Sequence, residues 1–318
     1  MAVIYLHKQN LFDNLEKISK INPNIYAVIK DNAYGHGIVS ISKLLVEFGI
    51  KRVCVRNIQE ANIVAPFFEE ILIFNPHTGR GAKNFSYTIN SLSQLKKNRH
   101  PYIHLKIDTG MHRNGIDFSE LDQALEIIKK REFELRGVFT HLCCADETGC
   151  DTFIQYEKFK EVKKRVQEEF DPVFHIANSY ALSKLPETFD FVRPGIAIYG
   201  GIEGYKPVLS LEADVISVRE LKKLHSCGYN KHYTAGYTHK ITTIDVGYGD
   251  GLPYFKNGCM LKDAKALGKI SMDSMIVEGE FKKKVVIFDD VKEFAKNFDT
   301  ITYDILVKLS PRIERKIV

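Results

Sequence analysis

The region from Asn24 to about Gly201 repeats one pattern, in which a short apolar run is followed by a turn and an amphipathic segment. The apolar runs are candidate strands at 24–30, 52–57, 71–75, 86–90, 102–108, 134–141, 172–177 and 191–200. Helical periodicity is clearest at 38–49, 119–132 and 152–170. Eight strands alternating with helices predict a parallel (β/α)8 barrel of the TIM type rather than an open doubly wound sheet.

The sequence changes character from about Leu209. Segments such as VISVRELKKL, KITTIDVGYGDG, KISMDSMIVEGE and KKVVIFDD are rich in β-branched residues and turn signals, with few helical periods. We therefore predict a barrel domain over 10–208 and a C-terminal all-β domain over 209–318. The opening strand at 1–9 is predicted to pair with the second domain. A chain of 318 residues is long enough for two such cores.

Composition excludes several classes of function. The 45 basic residues barely exceed the 40 acidic ones, which is too weak an imbalance to indicate nucleic-acid binding, although acidic small molecules remain candidate substrates. No apolar stretch approaches the roughly 18–20 residues of a membrane span, and no signal-peptide core is evident, so we expect a cytoplasmic protein. The six cysteines lack C-x-x-C spacing, so neither zinc nor another metal, nor a disulfide framework, is predicted.

One lysine stands at the end of the first predicted strand, within the segment AVIKDNAYGHG at 27–37. Strand alternation places Lys30 on the same face as Val28, so its side chain can point into the barrel mouth. Desolvation there would favour the neutral amine, which can react with an aldehyde. Gly35 and Gly37 let the chain turn into a helix whose N-terminus favours anions. The pattern suits an aldehyde-bearing phosphate such as pyridoxal phosphate, with a snorkelling surface lysine as the alternative.

A second polar motif, HLKIDTGMHRNG, covers residues 104–115. Alternation again sets His104, Lys106 and Asp108 on one face, and Arg113 follows after a short loop. Two cations close together repel each other, so this arrangement predicts a depressed pKa for the lysine.

Together with GYGDGLP (247–253) and GKISMDSM (268–275), these two motifs make the chain resemble the alanine racemase family over nearly its whole length. The resemblance implies a pyridoxal 5'-phosphate enzyme with a (β/α)8 barrel and a C-terminal β domain. The implied reaction interconverts L-alanine and D-alanine by two-base proton transfer, and the D-alanine supplies peptidoglycan. It also implies a homodimer with shared active sites, in which Tyr229 and Met272 of one chain complete the Lys30 site of the other.

The resemblance further implies how the barrel holds the cofactor. Lys30 would carry it as an internal aldimine and act as one of the two bases. Arg193 would face the pyridine nitrogen, supported by His175. The phosphate ligands would be Tyr34, Ser179 and the backbone amides of Gly195 and Ile196.

The remaining implied roles concern proton transfer and the substrate. Tyr229 would be the base on the opposite face, and His141 would connect it to the arginine at the pyridine nitrogen. Arg113 would contact the cofactor oxygen and the substrate carboxylate, and Met272 would bind that carboxylate through its backbone amide. Lys106 would be N-carboxylated, which converts a repelling amine into an anion.

Some positions depart from the family pattern, namely Asp31, Asn114, Tyr254, Lys269 and Pro311. They concern the access corridor more than the chemistry, so the substrate range stays open. A broad-specificity racemase or an amino-acid decarboxylase of related fold is one alternative. A non-catalytic pyridoxal-phosphate carrier is another, but such carriers lack the β domain, and the segment around Tyr229 argues against that class.

Overall fold

The computed structural model describes residues 1–75, 81–147, 149 and 151–318. Its strands are β1 (Ala2–Leu6), β2 (Tyr26–Val28), β3 (Arg52–Val55), β4 (Glu70–Ile73), β5 (Phe85–Ile89), β6 (Tyr102–Lys106), β7 (Glu134–Phe139), β8 (Val173–His175), β9 (Leu209–Leu221), β10 (Ser226–Cys227), β11 (Tyr233–Thr234), β12 (His239–Ile244), β13 (Ala266–Leu267), β14 (Met275–Glu278), β15 (Lys284–Phe288) and β16 (Glu314–Ile317). Its α-helices are α1 (Lys8–Ser19), α2 (Lys30–Tyr34), α3 (Ile38–Phe48), α4 (Ile58–Val64), α5 (Leu92–Lys97), α6 (Leu121–Lys130), α7 (Asp151–Gln167), α8 (Val291–Ala295) and α9 (Thr302–Lys308).

The chain divides into two compact units. One, the barrel unit, contains Leu15–Asp31 and Ile41–Ile198. The other, the β-rich unit, contains Met1–Asn14, Asn32–Ser40 and Tyr199–Val318. No helix in the described part of the chain is long and apolar enough to cross a membrane.

The barrel unit is built on a parallel sheet in which β2 to β8 lie side by side in chain order. Residues 191 and 192 close the sheet, because Phe191 forms a parallel bridge with His175 of β8 and Val192 forms one with Ile25. The Tyr26 amide also donates to the Val192 carbonyl at 2.9 Å. Seven strands and this eighth position make a closed ring, which confirms the predicted TIM-type barrel.

Most of the predicted barrel strands are shorter in the structure than in the sequence pattern, and two of these differences affect the candidate site. The strand expected at 191–200 is reduced to the bridges at 191 and 192, and turns follow from 196. Pro194 has no amide hydrogen to donate to a neighbouring strand, which limits the pairing. The strand expected at 24–30 ends at Val28, so Lys30 begins α2 instead of ending a strand.

The β-rich unit has the strand order β13-β14-β12-β9-β1-β16, with β15 also paired to β9. The opening strand β1 runs antiparallel to β9 and parallel to β16, so Ile4 lies opposite both Leu211 and Arg315. The region predicted as all-β also contains α8 and α9, each so short that its apolar residues give little helical periodicity.

Candidate active site

Lys30 lies at the carboxyl edge of the barrel sheet, two residues after β2 ends. Its side chain is partly exposed, and the described residues offer its amine neither a hydrogen bond nor a salt bridge. The next residue, Asp31, departs from the family pattern and pairs with Arg56 at the start of the following connection, with Nη1 and Oδ1 2.8 Å apart. The amine is therefore available to react, while the residue after it is fixed to the barrel unit.

The short segment α2, which begins at Lys30, is a left-handed turn. Asp31, Asn32, Ala33 and Tyr34 have φ values between 51° and 56°, a region that L-residues visit at a cost of about 1–2 kcal/mol each. Four such residues in succession require support from their surroundings.

Within the β-rich unit, His36 and Arg315 give the end of this turn that support. The buried His36 ring donates its Nδ1 hydrogen toward the carbonyls of Tyr34 at 2.9 Å and Ala33 at 3.1 Å. Burial lowers the pKa of His36 to about 4, so the ring is neutral near pH 7. Arg315 Nη2 donates to the Gly35 carbonyl at 2.9 Å. A side chain at Gly35 would meet the Leu306 carbonyl oxygen at 1.9 Å, so only glycine fits there.

A tight loop after β6 brings Asn114 against Lys106. The loop returns to the end of β6, because the Ile116 amide donates to the Lys106 carbonyl at 2.8 Å. Gly115 permits this return, since a Cβ there would lie 2.6 Å from the Asp108 nitrogen. The Lys106 amine donates a hydrogen bond to the Asn114 side-chain oxygen. Asn114, which departs from the family pattern, is thus a direct partner of the lysine.

Lys106 is buried, and its surroundings disfavour its charge. Burial, followed by repulsion from Arg113 and Arg193, lowers its pKa to about 8. The depressed pKa predicted from the sequence is therefore present, with burial as its largest cause. Arg113 itself is exposed, and no salt bridge within the described residues neutralises it.

His141 follows β7 and is held neutral. Burial lowers its pKa to about 3, with further contributions from the positive charges of Arg193, Lys106, Arg113 and Lys30. The cationic residues predicted from the sequence therefore all disfavour a charge on this one imidazole. No hydrogen bond from this imidazole to Arg193 is present in the described structure, so the interaction between the two is electrostatic.

Arg193 is anchored at the carboxyl ends of β7 and β8. Its Nη1 donates to Nδ1 of His175 and to the His175 carbonyl, both at 2.7 Å. Its Nη2 donates to the carbonyls of Thr140 at 2.6 Å and Ile176 at 3.2 Å. Burial lowers the arginine pKa to about 10, which still leaves the guanidinium charged at neutral pH. The expected support from His175 is thus a direct hydrogen bond.

A chain of hydrogen bonds continues from His175 through the barrel interior. His175 Nε2 lies 3.0 Å from His104 Nδ1, and His104 Nε2 lies 3.1 Å from Glu70 Oε1. Burial opposes the charge of Glu70, but hydrogen bonds from His104, Tyr26 and Ser86 outweigh it and hold the Glu70 pKa well below its ordinary range.

Arg193 and Glu70, at the two ends of this series of hydrogen bonds, determine which atom donates in each bond. Since the guanidinium of Arg193 only donates and the carboxylate of Glu70 only accepts, each histidine must be neutral with its Nε2 protonated. The pKa of His175 is lowered well below its ordinary value by burial and by Arg193, which agrees with a neutral ring.

Packing fixes both histidine rings of this chain. Phe139 stacks on His175 with 4.9 Å between ring centroids, and Tyr26 stacks on it at 5.3 Å. Gly137 of β7 leaves room for His104, because a Cβ there would lie 2.3 Å from the His104 Nδ1 atom. Sequence alone did not identify Glu70 or Gly137.

Neutral donors suited to a phosphate group surround Ser179. The amides of Gly195 and Ala197 donate to the Ser179 hydroxyl oxygen at 2.9 and 3.1 Å, and Ile196 lies between them in the same turn. With two amides donating to its oxygen, the hydroxyl can direct its own hydrogen to an anion. The amine of Lys30 and this donor set are the chemistry that an aldehyde-bearing phosphate cofactor requires.

The β-rich unit carries the other predicted residues. Tyr34 is buried there, with ring contacts to Tyr199 and Tyr303. Tyr229 begins a short 3-10 turn and is 66% exposed, and Met272 is 55% exposed. The loop that contains Met272 is fixed from behind, because the Gly249 amide donates to the Met272 carbonyl at 2.8 Å. Both side chains are therefore accessible in this chain.

Comparison with known proteins gives the same family over both parts of the chain. Residues 6–203 match the model of the alanine racemase N-terminal domain, and residues 208–317 match that of the C-terminal domain. The alanine racemase of Nitratiruptor sp. is 42% identical over 333 aligned positions, which cover 99% of each chain. That of Campylobacter concisus is 43% identical over 340 positions, covering both chains completely.

Solved structures agree with the sequence matches. The alanine racemase of the D-cycloserine producer Streptomyces lavendulae superposes with a TM-score of 0.89 at 25% identity, covering 100% of this chain and 97% of that one. The Bacillus anthracis alanine racemase with bound L-Ala-P gives 0.87 at 27% identity, covering 100% and 95%. The chain therefore belongs to the alanine racemase family, whose members are pyridoxal 5'-phosphate-dependent isomerases.

Proposed function

We propose that this chain racemises alanine, with Lys30 and Tyr229 as the two groups that exchange the α-proton. One observation carries this proposal above the others: a lysine amine that has no partner among the described residues lies at the carboxyl edge of a barrel sheet, near a neutral histidine and a charged, buried arginine. The domain model matched at 208–317 adds the β domain, which a simple cofactor carrier would not need.

Pyridoxal 5'-phosphate, when bound, withdraws electrons from the amino acid and so acidifies its α-proton. The chain's own residues hold and orient it. Lys30 would attach to the aldehyde, and Tyr34, Ser179, Gly195 and Ile196 would bind the phosphate with neutral donors. Arg193 would donate a hydrogen bond to the ring nitrogen without protonating it, because a guanidinium does not give up its proton, and this would restrain side reactions.

Inversion at the α-carbon requires proton transfer on two faces. Lys30 removes or returns the proton on one face, and Tyr229 does so on the other. His141 stays uncharged, because its pKa of about 3 lies far below neutral pH. It can therefore take part in hydrogen bonds between the tyrosine and Arg193 without adding to the positive charge there.

Substrate binding uses one cation and one amide. Arg113 is exposed and free of a salt bridge among the described residues, so it is available for the substrate carboxylate and the cofactor oxygen. The Met272 amide is proposed as the second carboxylate contact.

We further infer a homodimer in which Tyr229 and Met272 of one chain complete the Lys30 site of its partner. The 66% exposure of Tyr229 supports this assignment, because a general base needs access to a substrate. The domains are assigned as 10–208 for the cofactor-binding barrel and 209–318, with strand 1–9, for the β-rich part. We place the enzyme in the cytoplasm, where it supplies D-alanine for peptidoglycan.

The direct test uses the purified protein with pyridoxal 5'-phosphate. Incubation with L-alanine should produce D-alanine until the two enantiomers are equal. Borohydride reduction followed by peptide mapping should place the cofactor on Lys30. Label on Lys106 or another lysine would refute the assignment of Lys30, and a panel of other amino acids would define the substrate range.

A further inference from the structure

Two adjacent cysteines lie just after β7, beyond His141. The side chains of Cys143 and Cys144 are partly exposed, and their sulfur atoms are 3.0 Å apart. By contrast, Cys54 and Cys259 are buried. The pair thus combines access to small reagents with a short distance between two thiols.

A buried glutamine ties this pair to the candidate site. The Cys143 amide donates to Gln155 Oε1 at 2.9 Å. The other side of the same amide group, Nε2, donates to the His141 carbonyl at 3.2 Å and to the Thr109 hydroxyl at 3.1 Å. Gln155 is 2% exposed and projects from α7, so its contacts depend on where the Cys143 backbone lies.

We propose that Cys143 and Cys144 are a modification site, at which a low-molecular-weight disulfide converts the two thiols reversibly into a vicinal disulfide that loosens the Gln155 contacts. In the first step the Cys143 thiolate attacks the reagent RSSR, forms a mixed disulfide and releases one RSH. In the second step Cys144 attacks the Cys143 sulfur and releases the other RSH. The protein sulfurs lose two electrons in total, which reduce the reagent, and the two thiol protons leave on the released thiols.

The hydrogen bond between the two sulfurs supports one order of reaction. It is the largest cause of a raised pKa at Cys144, to about 11, so Cys144 keeps its proton at neutral pH. We assign Cys143 as the attacking sulfur and Cys144 as the resolving one, since a thiol that holds its proton more tightly than usual is the slower to form the thiolate that attacks in exchange.

Closing the bond must move the backbone. Adjacent Cα atoms are about 3.8 Å apart, whereas disulfides ordinarily span about 4.4–6.8 Å, so the eight-membered ring strains the peptide between the two residues. That strain favours reduction and makes the modification reversible. It also displaces the Cys143 amide, which weakens the hold of Gln155 on His141 and Thr109.

The first test uses the complete cofactor-loaded protein with oxidised glutathione. We expect a product lighter by two hydrogen atoms, with no glutathione attached, and both cysteines protected from alkylation. Dithiothreitol should restore the original mass. This readout does not depend on racemase activity, so it stands apart from the proposed function.

Cys150 supplies the matched control, because it is another cysteine close to the pair in the sequence and could pair with either thiol. It lies outside the described residues. Cys150→Ser should still lose two hydrogens, whereas Cys144→Ser should stop at a mixed disulfide on Cys143. Loss of the product in Cys150→Ser, together with its persistence in Cys144→Ser, would overturn the vicinal pair. No oxidation of the wild type at any glutathione ratio would do the same.

Hydrogen exchange tests the consequence for Gln155. In the oxidised Cys150→Ser protein, amide exchange around residues 141–147 should become faster than in the reduced protein. The Cys143→Ser/Cys144→Ser variant should show no change with oxidant. A vicinal disulfide that leaves exchange unaltered would refute the loosening of the Gln155 contacts.

Discussion

His175 donates its Nε2 hydrogen to Nδ1 of His104 across 3.0 Å. The two buried imidazoles therefore connect the carboxylate of Glu70 to the guanidinium of Arg193 by hydrogen bonds, and each ring is held as one defined tautomer. Changes at the carboxylate end should be detectable at the arginine end.

Replacing the carboxylate tests this relationship. Glu70→Gln removes the charge that accepts from His104 and Tyr26, and its amide hydrogens would face the donors of Arg52. We expect a loss of about 1–3 kcal/mol in the free energy of unfolding. Glu69→Gln is the matched control, because the Glu69–Lys51 pair is exposed and should contribute less than about 1 kcal/mol. Equal losses in the two variants would contradict the proposed chain.

The same carboxylate should make stability depend on pH. Folding lowers the Glu70 pKa, so its contribution is fully present above the unfolded value near 4.5 and is lost as the pH falls through the folded value. The difference in unfolding free energy between wild type and Glu70→Gln should therefore shrink in acid. Urea denaturation at a series of pH values measures it, and a gap that widens below pH 4.5 would have the wrong sign.

Gly137→Ala should displace His104, because the added Cβ would lie 2.3 Å from an atom of this fully buried ring. We expect a destabilisation of about 1–3 kcal/mol and altered ¹⁵N shifts of both histidines. Gly236→Ala is the control, since no atom of the described residues, its chain neighbours aside, lies within 4 Å of the added group. Histidine shifts that match the wild type in a folded Gly137→Ala protein would disprove the steric argument.

Lys106 is predicted to carry a carbamate. The neutral amine reacts with carbon dioxide, adding a carboxylate and releasing a proton, and a pKa of about 8 makes that amine available near neutral pH. Carbon-13 NMR with labelled carbon dioxide should show a carbamate signal that grows as the pH rises through 8 and is missing in Lys106→Met. An unmodified Lys106 in fully active enzyme would rule the modification out.

The shared site predicts complementation between inactive variants. Lys30→Ala and Tyr229→Phe homodimers should each lack racemase activity, whereas subunit exchange should restore roughly a quarter of the wild-type value. Half of the dimers are then mixed, and one of the two sites in each mixed dimer is intact. No recovery after demonstrated exchange would show that both residues belong to one chain.

The sequence predicts best those features that lie along one strand or one motif. Lys30 and Lys106 stand out because the first ends an apolar run and the second interrupts one, and local alternation indicates the inward face. Glu70 does not stand out, because it follows another glutamate in FFEE and resembles a solvated loop. Only the pairing of β4, β5 and β6 in one sheet brings it to His104, which is 34 residues away in the chain.

Local sequence patterns also do not predict the burial of Gln155 or the left-handed turn after Lys30. A polar residue in α7 is expected on an exposed helix face. Gln155 is buried instead, and it is the loop containing Cys143 that contacts it. The left-handed turn has no simple signature either, since Ala33 and Tyr34 are unusual residues for that conformation.

The left-handed turn also bears on how this protein would fail. Ala33 and Tyr34, the two residues unusual in this conformation, together cost about 2–4 kcal/mol, a large share of the roughly 5–15 kcal/mol net stability of a domain. Mild heat or a remote destabilising mutation should therefore unfold the turn at residues 31–34, next to Lys30, before the barrel unit unfolds. A destabilised enzyme should therefore lose its yellow cofactor first, while the rest of the chain is still folded.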